Sequence, residues 1–263
     1  MERGLVFDRV AAEYDRVRPG YPAELIDAAL AGADVRRVLE VGCGTGQLTE
    51  ALAACGLEVE AVEPGANLAA LARRRVPELH VHAGRFEDVE LPEAAYDAVF
   101  SATAFHWVDA SVGWAKAAAV LRPRGRLALL AYVYVSDAQV RPAQIALSEA
   151  YGEDWSFPTD EEVLAAAGAA RHNISEVWKA FTWGDATPQA AELFGETRIE
   201  ARLLRDELDA RALLALQRTT STHLTLPADR LEAVERAILE LVDSLGGRYP
   251  VRRLAVLAVA ERR

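Results

Sequence analysis

The chain is expected to fold as an α/β domain, a mostly parallel, doubly wound sheet layered between helices. Three observations carry this. Short apolar runs alternate with helix-forming runs over residues 36–135. The first apolar run ends in three closely spaced glycines, the mark of a tight strand-to-helix turn. Hydrophobic residues make up 51% of the 263 positions, enough to fill a core between layers.

Residues 1–35 read as an N-terminal helical cap, because the segment around Asp8, Glu13 and Asp15 is amphipathic and stops at Pro19-Gly20-Tyr21-Pro22. Arg37–Val41 is a short apolar strand, and Gln47–Ala54 a helix that stops at Gly56, a C-terminal cap. Residues 57–62 alternate as a strand, 67–75 form a helix closed by Val76-Pro77, and 79–83 form a third strand. A fourth strand at 96–101, a helix at 114–120 and a fifth strand at 126–135 complete this half.

Beyond Ser136 the alternation is lost. Residues 140–151 and 160–170 read as helices, so 136–195 is expected to be a mainly helical insert covering the sheet's active edge and the substrate. Strand signal returns at 197–204, and helices follow at 209–219 and 227–245. In the latter Leu231, Val234, Ile238, Leu241 and Leu245 recur at helical spacing. A strand at 253–259 closes the core, which is expected to comprise 36–135 and 196–263.

Composition excludes several function classes. The net charge is −11, and the two arginine clusters (Arg73, Arg74, Arg75 and Arg122, Arg124, Arg126) are short, which argues against a nucleic-acid partner. Only Cys43 and Cys55 are present, so no disulfide framework and no metal-ligand spacing is expected, and a reducing cytoplasmic setting fits. The N-terminus does not read as a signal peptide. The apolar run 127–135 is too short to span a bilayer, so no membrane partner is expected.

The sharpest motif is Glu40-Val41-Gly42-Cys43-Gly44-Thr45-Gly46, set between a strand and a helix. Glycines here let a ligand approach the backbone, and the following helix leaves N–H groups free for its polar atoms. The spacing is G-x-G-x-G. A dinucleotide fold wants its third glycine where Gln47 stands. Glu63 lies at the end of the next strand, where a carboxylate can accept both hydroxyls of a ribose.

These residues resemble the first motif and the acidic ribose loop of the class I S-adenosylmethionine-dependent methyltransferases, of the type 11-like kind, which have a Rossmann-like fold. The resemblance implies S-adenosylmethionine as cofactor and S-adenosylhomocysteine as product. It implies that Glu40, Gly42, Gly44 and Gly46 line the methionine part and that Glu63 and Pro64 hold the ribose. Gly84-Arg85-Phe86-Glu87-Asp88 is similar to the loop that meets the adenine. Many members carry Asp where this chain has Arg85, so Glu87 or Asp88 is the candidate for the adenine amine, beside Phe86. Ser101 opens a stretch, 101–109, that resembles the place where substrate and methyl group meet. Its His106-Trp107 pair is similar to a subgroup that includes trans-aconitate methyltransferases. The N-terminal stretch 7–22 also resembles that subgroup and implies cofactor-pocket roles for Tyr14 and Arg18, the latter against the methionine carboxylate.

Methyl transfer from a sulfonium asks mainly for orientation of the acceptor, and for a base when the acceptor must lose a proton. His106 is the candidate base or substrate-positioning residue, since its intrinsic pKa lies near neutrality. His172 and His223 fall in the covering regions, and His80 and His82 share one face of a strand. Phe105, Trp107, Tyr132, Trp155 and Trp178 are candidates for the substrate pocket, with Trp183 and Tyr134 beside them; core packing is the alternative for Trp155, Trp178, Trp183, Tyr132 and Tyr134. The expected function is methyl transfer to oxygen, nitrogen or carbon of a small molecule. Two other classes compete: a cofactor-binding module of the same fold without catalysis, separated by turnover, and a nicotinamide-dependent oxidoreductase, separated by NADH binding.

Overall fold

The computed structural model describes residues 3–263; Met1 and Glu2, where the expected cap begins, lie outside the described residues. After a 3-10 segment (Arg3–Val10), the elements run α1 (Ala11–Val17), α2 (Ala23–Leu30), β1 (Arg37–Val41), α3 (Gln47–Ala54), β2 (Glu58–Glu63), α4 (Ala66–Arg75), β3 (His80–Ala83) and β4 (Tyr96–Ala102). Then follow α5 (Ala110–Val120), β5 (Leu121–Tyr134), α6 (Arg141–Tyr151), α7 (Asp160–Ala169), α8 (Ile174–Phe181), α9 (Gln189–Leu193) and β6 (Arg198–Leu208). The chain closes with α10 (Ala210–Gln217), α11 (Ser221–Leu224), α12 (Ala228–Ser244) and β7 (Tyr249–Glu261).

The strands form one seven-stranded sheet in the order β3-β2-β1-β4-β5-β7-β6. β1 to β5 are parallel, and β7 runs antiparallel to both β5 and β6. This is a Rossmann-like doubly wound sheet, as the alternation predicted. The period-2 alternation of strands sorts side chains onto two faces. Leu39, Val41, Val99, Leu127 and Leu129 pack on one face against Trp114 of α5, and Val38, Ala98, Phe100, Ala128 and Leu130 pack on the other against α2 and α3. β6 is the charged, half-exposed edge strand, with Arg198, Glu200, Arg202, Asp206 and Glu207 along it.

The regions expected to cover the sheet are each divided between cores. Within 136–195, α6 packs with α10 and α12 in a separate cluster around Tyr151, Val234, Ile238 and Tyr249. α7, α8 and α9 instead close the face of the sheet beside α5, through Val163, Ile174, Trp178 and Phe194. Buried Arg252 of β7 clamps this segment, donating to Asp137 (2.8 Å) and Asp160 (2.7 Å). Within 1–35, α2 belongs to the sheet, while Phe7 and Ala11 pack on Leu68 and Leu71 of α4. Asp8 caps α4 from a distance: its Oδ1 accepts from the N–H groups of Asn67 (2.8 Å) and Leu68 (3.0 Å). A carboxylate at a helix N-terminus satisfies orphan donors and complements the dipole, so this contact seats the N-terminal segment beside the sheet's C-terminal edge. Among the described residues no helix is long and apolar enough to cross a membrane.

Candidate functional site

Between β1 and β4 the winding of the sheet reverses, and ligand crevices form beyond the strand ends at such points. A cavity of about 520 Å³ opens there, lined by Gly42, Gly44, Glu63, Thr103 and His106 among others. A smaller chamber of about 90 Å³ adjoins it, sharing Tyr14, Arg18, Gly42 and Gly44 and reaching Glu40 and Gln47.

The glycine loop is built by close approach. Gly42 takes φ +72°, and its N–H donates to Val62 O (2.8 Å), which ties the loop to β2. A Cβ placed on Gly42 would lie 2.5 Å from Ala104 Cβ. Gly44 has nothing within 4 Å of its added Cβ, so its backbone faces open cavity. Gly46 serves packing instead. An added Cβ there would lie 2.9 Å from Ala72 Cα, so this glycine lets the start of α3 pack on α4 and does not line the cavity.

Two buried carboxyls organise the site. Glu63, 6% exposed, accepts from Gly44 N–H (2.9 Å) through Oε2 and from Gly65 N–H (2.8 Å) through Oε1, so it joins the glycine loop to the loop after β2. Burial pushes its pKa up, and the two N–H donors oppose that. Glu40, 1% exposed, accepts from Thr49 Oγ1 (2.5 Å). Burial outweighs that bond and pushes Glu40 up to about 8, with nearby Glu63 adding to the rise. Burial therefore favours the protonated form of Glu40. A carboxyl raised in the folded state favours folding at low pH, and that contribution is lost as pH climbs from about 4.5 through about 8. E40Q, which stays neutral, is expected to gain on the wild type in unfolding midpoint across that window. Parallel curves in thermal unfolding at pH 5 and pH 9 would refute the assignment.

Near Glu63, Pro64, Arg85, Phe86 and Glu87 line the cavity. Burial pulls the Glu87 carboxyl up, but Arg85 (2.8 Å) and the N–H of Asp109 (2.8 Å) outweigh it and hold Glu87 below the usual range. Asp88 points away, its side chain 74% exposed.

At the other end, Arg18 donates through Nε to Thr219 Oγ1 (3.0 Å) and through Nη2 to Thr219 O (2.6 Å), and the Tyr14 ring lies beneath its guanidinium. The N-terminal segment and the α10–α11 connection thereby meet across the cavity, where Thr220 and Ser221 form part of the wall. Tyr132 stacks on Tyr21 (4.8 Å), and Tyr21 hydrogen-bonds Thr103. Thr103 has φ +50°, rare for a β-branched residue, at the point where β4 turns into the cavity.

His106 lies in an aromatic nest: Trp107 at 5.0 Å, Trp178 at 6.2 Å and Trp183 at 4.2 Å between ring centroids. Both ring nitrogens are buried without a hydrogen-bond partner, and burial pushes the imidazole down to about 3. It is neutral at physiological pH, and charging it there is costly, which suits a hydrogen-bonding role better than proton storage.

Several expected site residues are placed elsewhere. Ser101 is buried and donates to Val41 O (2.7 Å), stitching β4 to β1. Phe105 packs in the core on Trp114 (4.8 Å). Trp155 packs on Tyr151 (5.2 Å) with α6 and α12, away from the cavity. Trp178 is 1% exposed and backs His106 without lining the cavity. His82 bonds Glu60 (2.9 Å) beside His80, buried His223 bonds Tyr151 (2.9 Å), and His172 is exposed; none of the four lines the main cavity. Conversely, Phe7, Thr103, Phe181, Thr182, Thr220 and Ser221 line the cavity although no sequence signal marked them individually. Phe7 and Thr103 fall inside stretches with a family resemblance, whereas Thr220 and Ser221 carry no local signal.

Residues 39–129 match the methyltransferase domain family. Over 129 residues the chain is 41% identical to an uncharacterized methyltransferase of Mycobacterium tuberculosis, a match covering 49% of this chain and 53% of that protein. The chain thus spans about half the length of the curated relatives it matches. It is similar in structure to a candidate type II methyltransferase from Anaeromyxobacter dehalogenans (25% identity, TM-score 0.60), over 94% of this chain and 97% of the other. A candidate methyltransferase from Bacillus halodurans shares the fold at 15% identity and TM-score 0.54, over 91% and 97% of the two chains.

Proposed function

We propose, from the premise that this chain belongs to the class I S-adenosylmethionine-dependent methyltransferases, that it transfers a methyl group from S-adenosylmethionine to an oxygen, nitrogen or carbon atom of a small molecule. The observation that carries the reading is Glu63, a buried carboxylate gripping the glycine loop and the next loop at the cavity wall. Each of its oxygens keeps lone-pair capacity for a ribose hydroxyl.

The residues present fit the cofactor. Gly44 offers bare backbone to the cavity, and Gln47 Nε2 is a buried amide donor without a partner at the inner chamber. Glu40 and Arg18 line the same chamber and are complementary to the amino and carboxylate groups of the methionine part. A cationic amine against Glu40 would lower its pKa and favour the carboxylate, the proton leaving to solvent. Pro64, Phe86 and Glu87 are placed for the nucleoside, with Arg85 beside them. Gly46 and Ser101 support the loop and strand from behind.

When bound, S-adenosylmethionine supplies a methyl group already activated on sulfur. What this chain's residues contribute is orientation and exclusion of water, an effect that reaches roughly 7–11 kcal/mol in well-oriented reactions. Thr103, Tyr132 and His106 flank the space between the glycine loop and the aromatic end, where the acceptor would sit. His106 acts there as a neutral positioning group.

Calorimetric titration with S-adenosylmethionine, S-adenosylhomocysteine and NADH tests the reading. Micromolar binding of the two adenosyl compounds, with no heat from NADH, is expected. NADH binding in their place would overturn it. Turnover with a panel of metabolites then separates an enzyme from a cofactor-binding module.

A further inference from the structure

Two buried polar atoms without partners, Nδ1 and Nε2 of His106, belong to a residue that lines the aromatic end of the cavity, and a third, Nε1 of Trp178, belongs to the ring stacked behind that histidine. Buried polar groups are nearly always paired, so such a concentration calls for an explanation in ligand chemistry. The inventory of this cluster is specific. A neutral imidazole offers one donor and one acceptor, and the indole offers one donor. A hydroxyl group can donate to the bare nitrogen of the imidazole or accept from its N–H. An ammonium group has nothing to accept with, and a carboxylate would bring a buried charge.

No cation stands ready for such a charge. His106 is flanked by Trp107 and Trp183, and Phe181 and Thr182, which precede Trp183 in the chain, also line the cavity; all four are uncharged. The charged lining residues, Arg18, Glu63, Arg85 and Glu87, belong to the parts assigned above to the cofactor. Trp107 and Trp183 meet edge to face (5.6 Å, 73°), forming an aromatic corner with His106 in the angle. Trp183 is 65% exposed, an unusual placement for so large an apolar ring. Turning it sacrifices little burial.

Resting on the methyltransferase reading, we propose that this end of the cavity takes a flat, uncharged aromatic hydroxyl compound as methyl acceptor, its ring against Trp183 and Trp107 and its hydroxyl donating to His106; as the methyl carbon leaves sulfur and bonds the hydroxyl oxygen, the hydroxyl proton passes to the imidazole nitrogen and on to solvent. Aromatic pairing supplies affinity, and the single polar bond sets the hydroxyl's direction.

The test uses the full chain loaded with S-adenosylhomocysteine and reads tryptophan fluorescence and calorimetry. The probes are 2-naphthol, naphthalene, 2-naphthoate and 2-naphthylmethylammonium. Naphthol is expected to bind about tenfold more tightly than each of the other three, the size of one hydrogen bond in a dry site. In H106F the naphthol-to-naphthalene ratio is expected to fall to about one, because the ring remains and its nitrogens do not. W183A, which alters an exposed side chain, covers the case in which H106F fails to fold. It should weaken naphthol and naphthalene alike by about tenfold. A charged probe binding more tightly than naphthol, a ratio that survives H106F, or unchanged affinity in W183A would each overturn the proposal. Failure of S-adenosylhomocysteine to bind strikes the methyl-transfer reading instead, and the same naphthol series on the unloaded chain still decides what the aromatic corner accepts.

Discussion

Replacing Gly42 by alanine is expected to destabilise the chain by about 2–5 kcal/mol and to abolish binding of adenosyl compounds. Two costs add. The backbone at Gly42 has φ +72°, where a Cβ crowds its own chain, and the new methyl would stand 2.5 Å from Ala104 Cβ. Neither side can give way easily. Gly42 N–H is bonded to Val62 O, and Ala104 follows Thr103, whose N–H is bonded to Leu130 O (2.8 Å). The glycine loop or the β4 turn must therefore shift, and both are walls of the cavity. Gly44→Ala is the informative comparison, since its methyl meets open space in the protein and projects into the cavity. It keeps the left-handed backbone strain (φ +55°) but adds no clash, so it should fold with a smaller loss than Gly42→Ala and still impair binding. Thermal unfolding and calorimetry on both variants separate the two effects. A Gly42→Ala protein with wild-type affinity would show that the loop does not hold the cofactor.

Glu63→Ala is expected to weaken binding of S-adenosylhomocysteine by about 1–3 kcal/mol, roughly 5- to 150-fold in Kd. The carboxylate satisfies Gly44 N–H and Gly65 N–H at once, so its removal leaves two donors without partners and loosens two loops. Gly65 has no slack: an added Cβ there would lie 2.7 Å from Asp8 Oδ1 and 3.0 Å from Glu63 Oε1, so the N-terminal segment is packed against the same joint. Disturbance at Glu63 should reach the Asp8 cap of α4 as well. Glu63→Gln keeps one accepting oxygen and should fall between wild type and alanine. Affinity unchanged in both variants would remove Glu63 from the site.

The sheet was legible because its signals are local. Apolar runs such as Arg37–Val41 alternate with helical runs, and β1 to β4 fall within a residue of the expected bounds, whereas β5 begins five residues before the expected 126, β6 ends four after 204 and β7 begins four before 253. The glycine loop and Glu63 were legible because spacing along the chain dictates them. Gly46 shows the limit: it belongs to the motif, yet its role is to admit Ala72 of α4, a contact 26 residues away that no local pattern encodes. Ser101 similarly follows the right strand but faces Val41 O. Strand position alone does not say whether a hydroxyl points along the sheet or into the crevice.

The aromatic residues divide the same way. Trp155, Trp178 and Trp183 look alike in sequence, and burial sorts them: one in the α6–α12 core, one beneath His106, one at the cavity mouth. Hydrophobic burial is non-directional, so sequence marks such residues as apolar without telling which of several cores will claim them. Hence the division of 136–195 between two clusters, and the arrival of Thr220 and Ser221 at the cavity, depend on packing between distant elements. By itself the sequence determined the sheet, the glycine loop and the acidic strand end, because backbone geometry and period are local properties. Tertiary structure alone decided the raised pKa of Glu40, the neutral state of His106 and the composition of the aromatic end, because desolvation and contact arise only when the chain is closed upon itself.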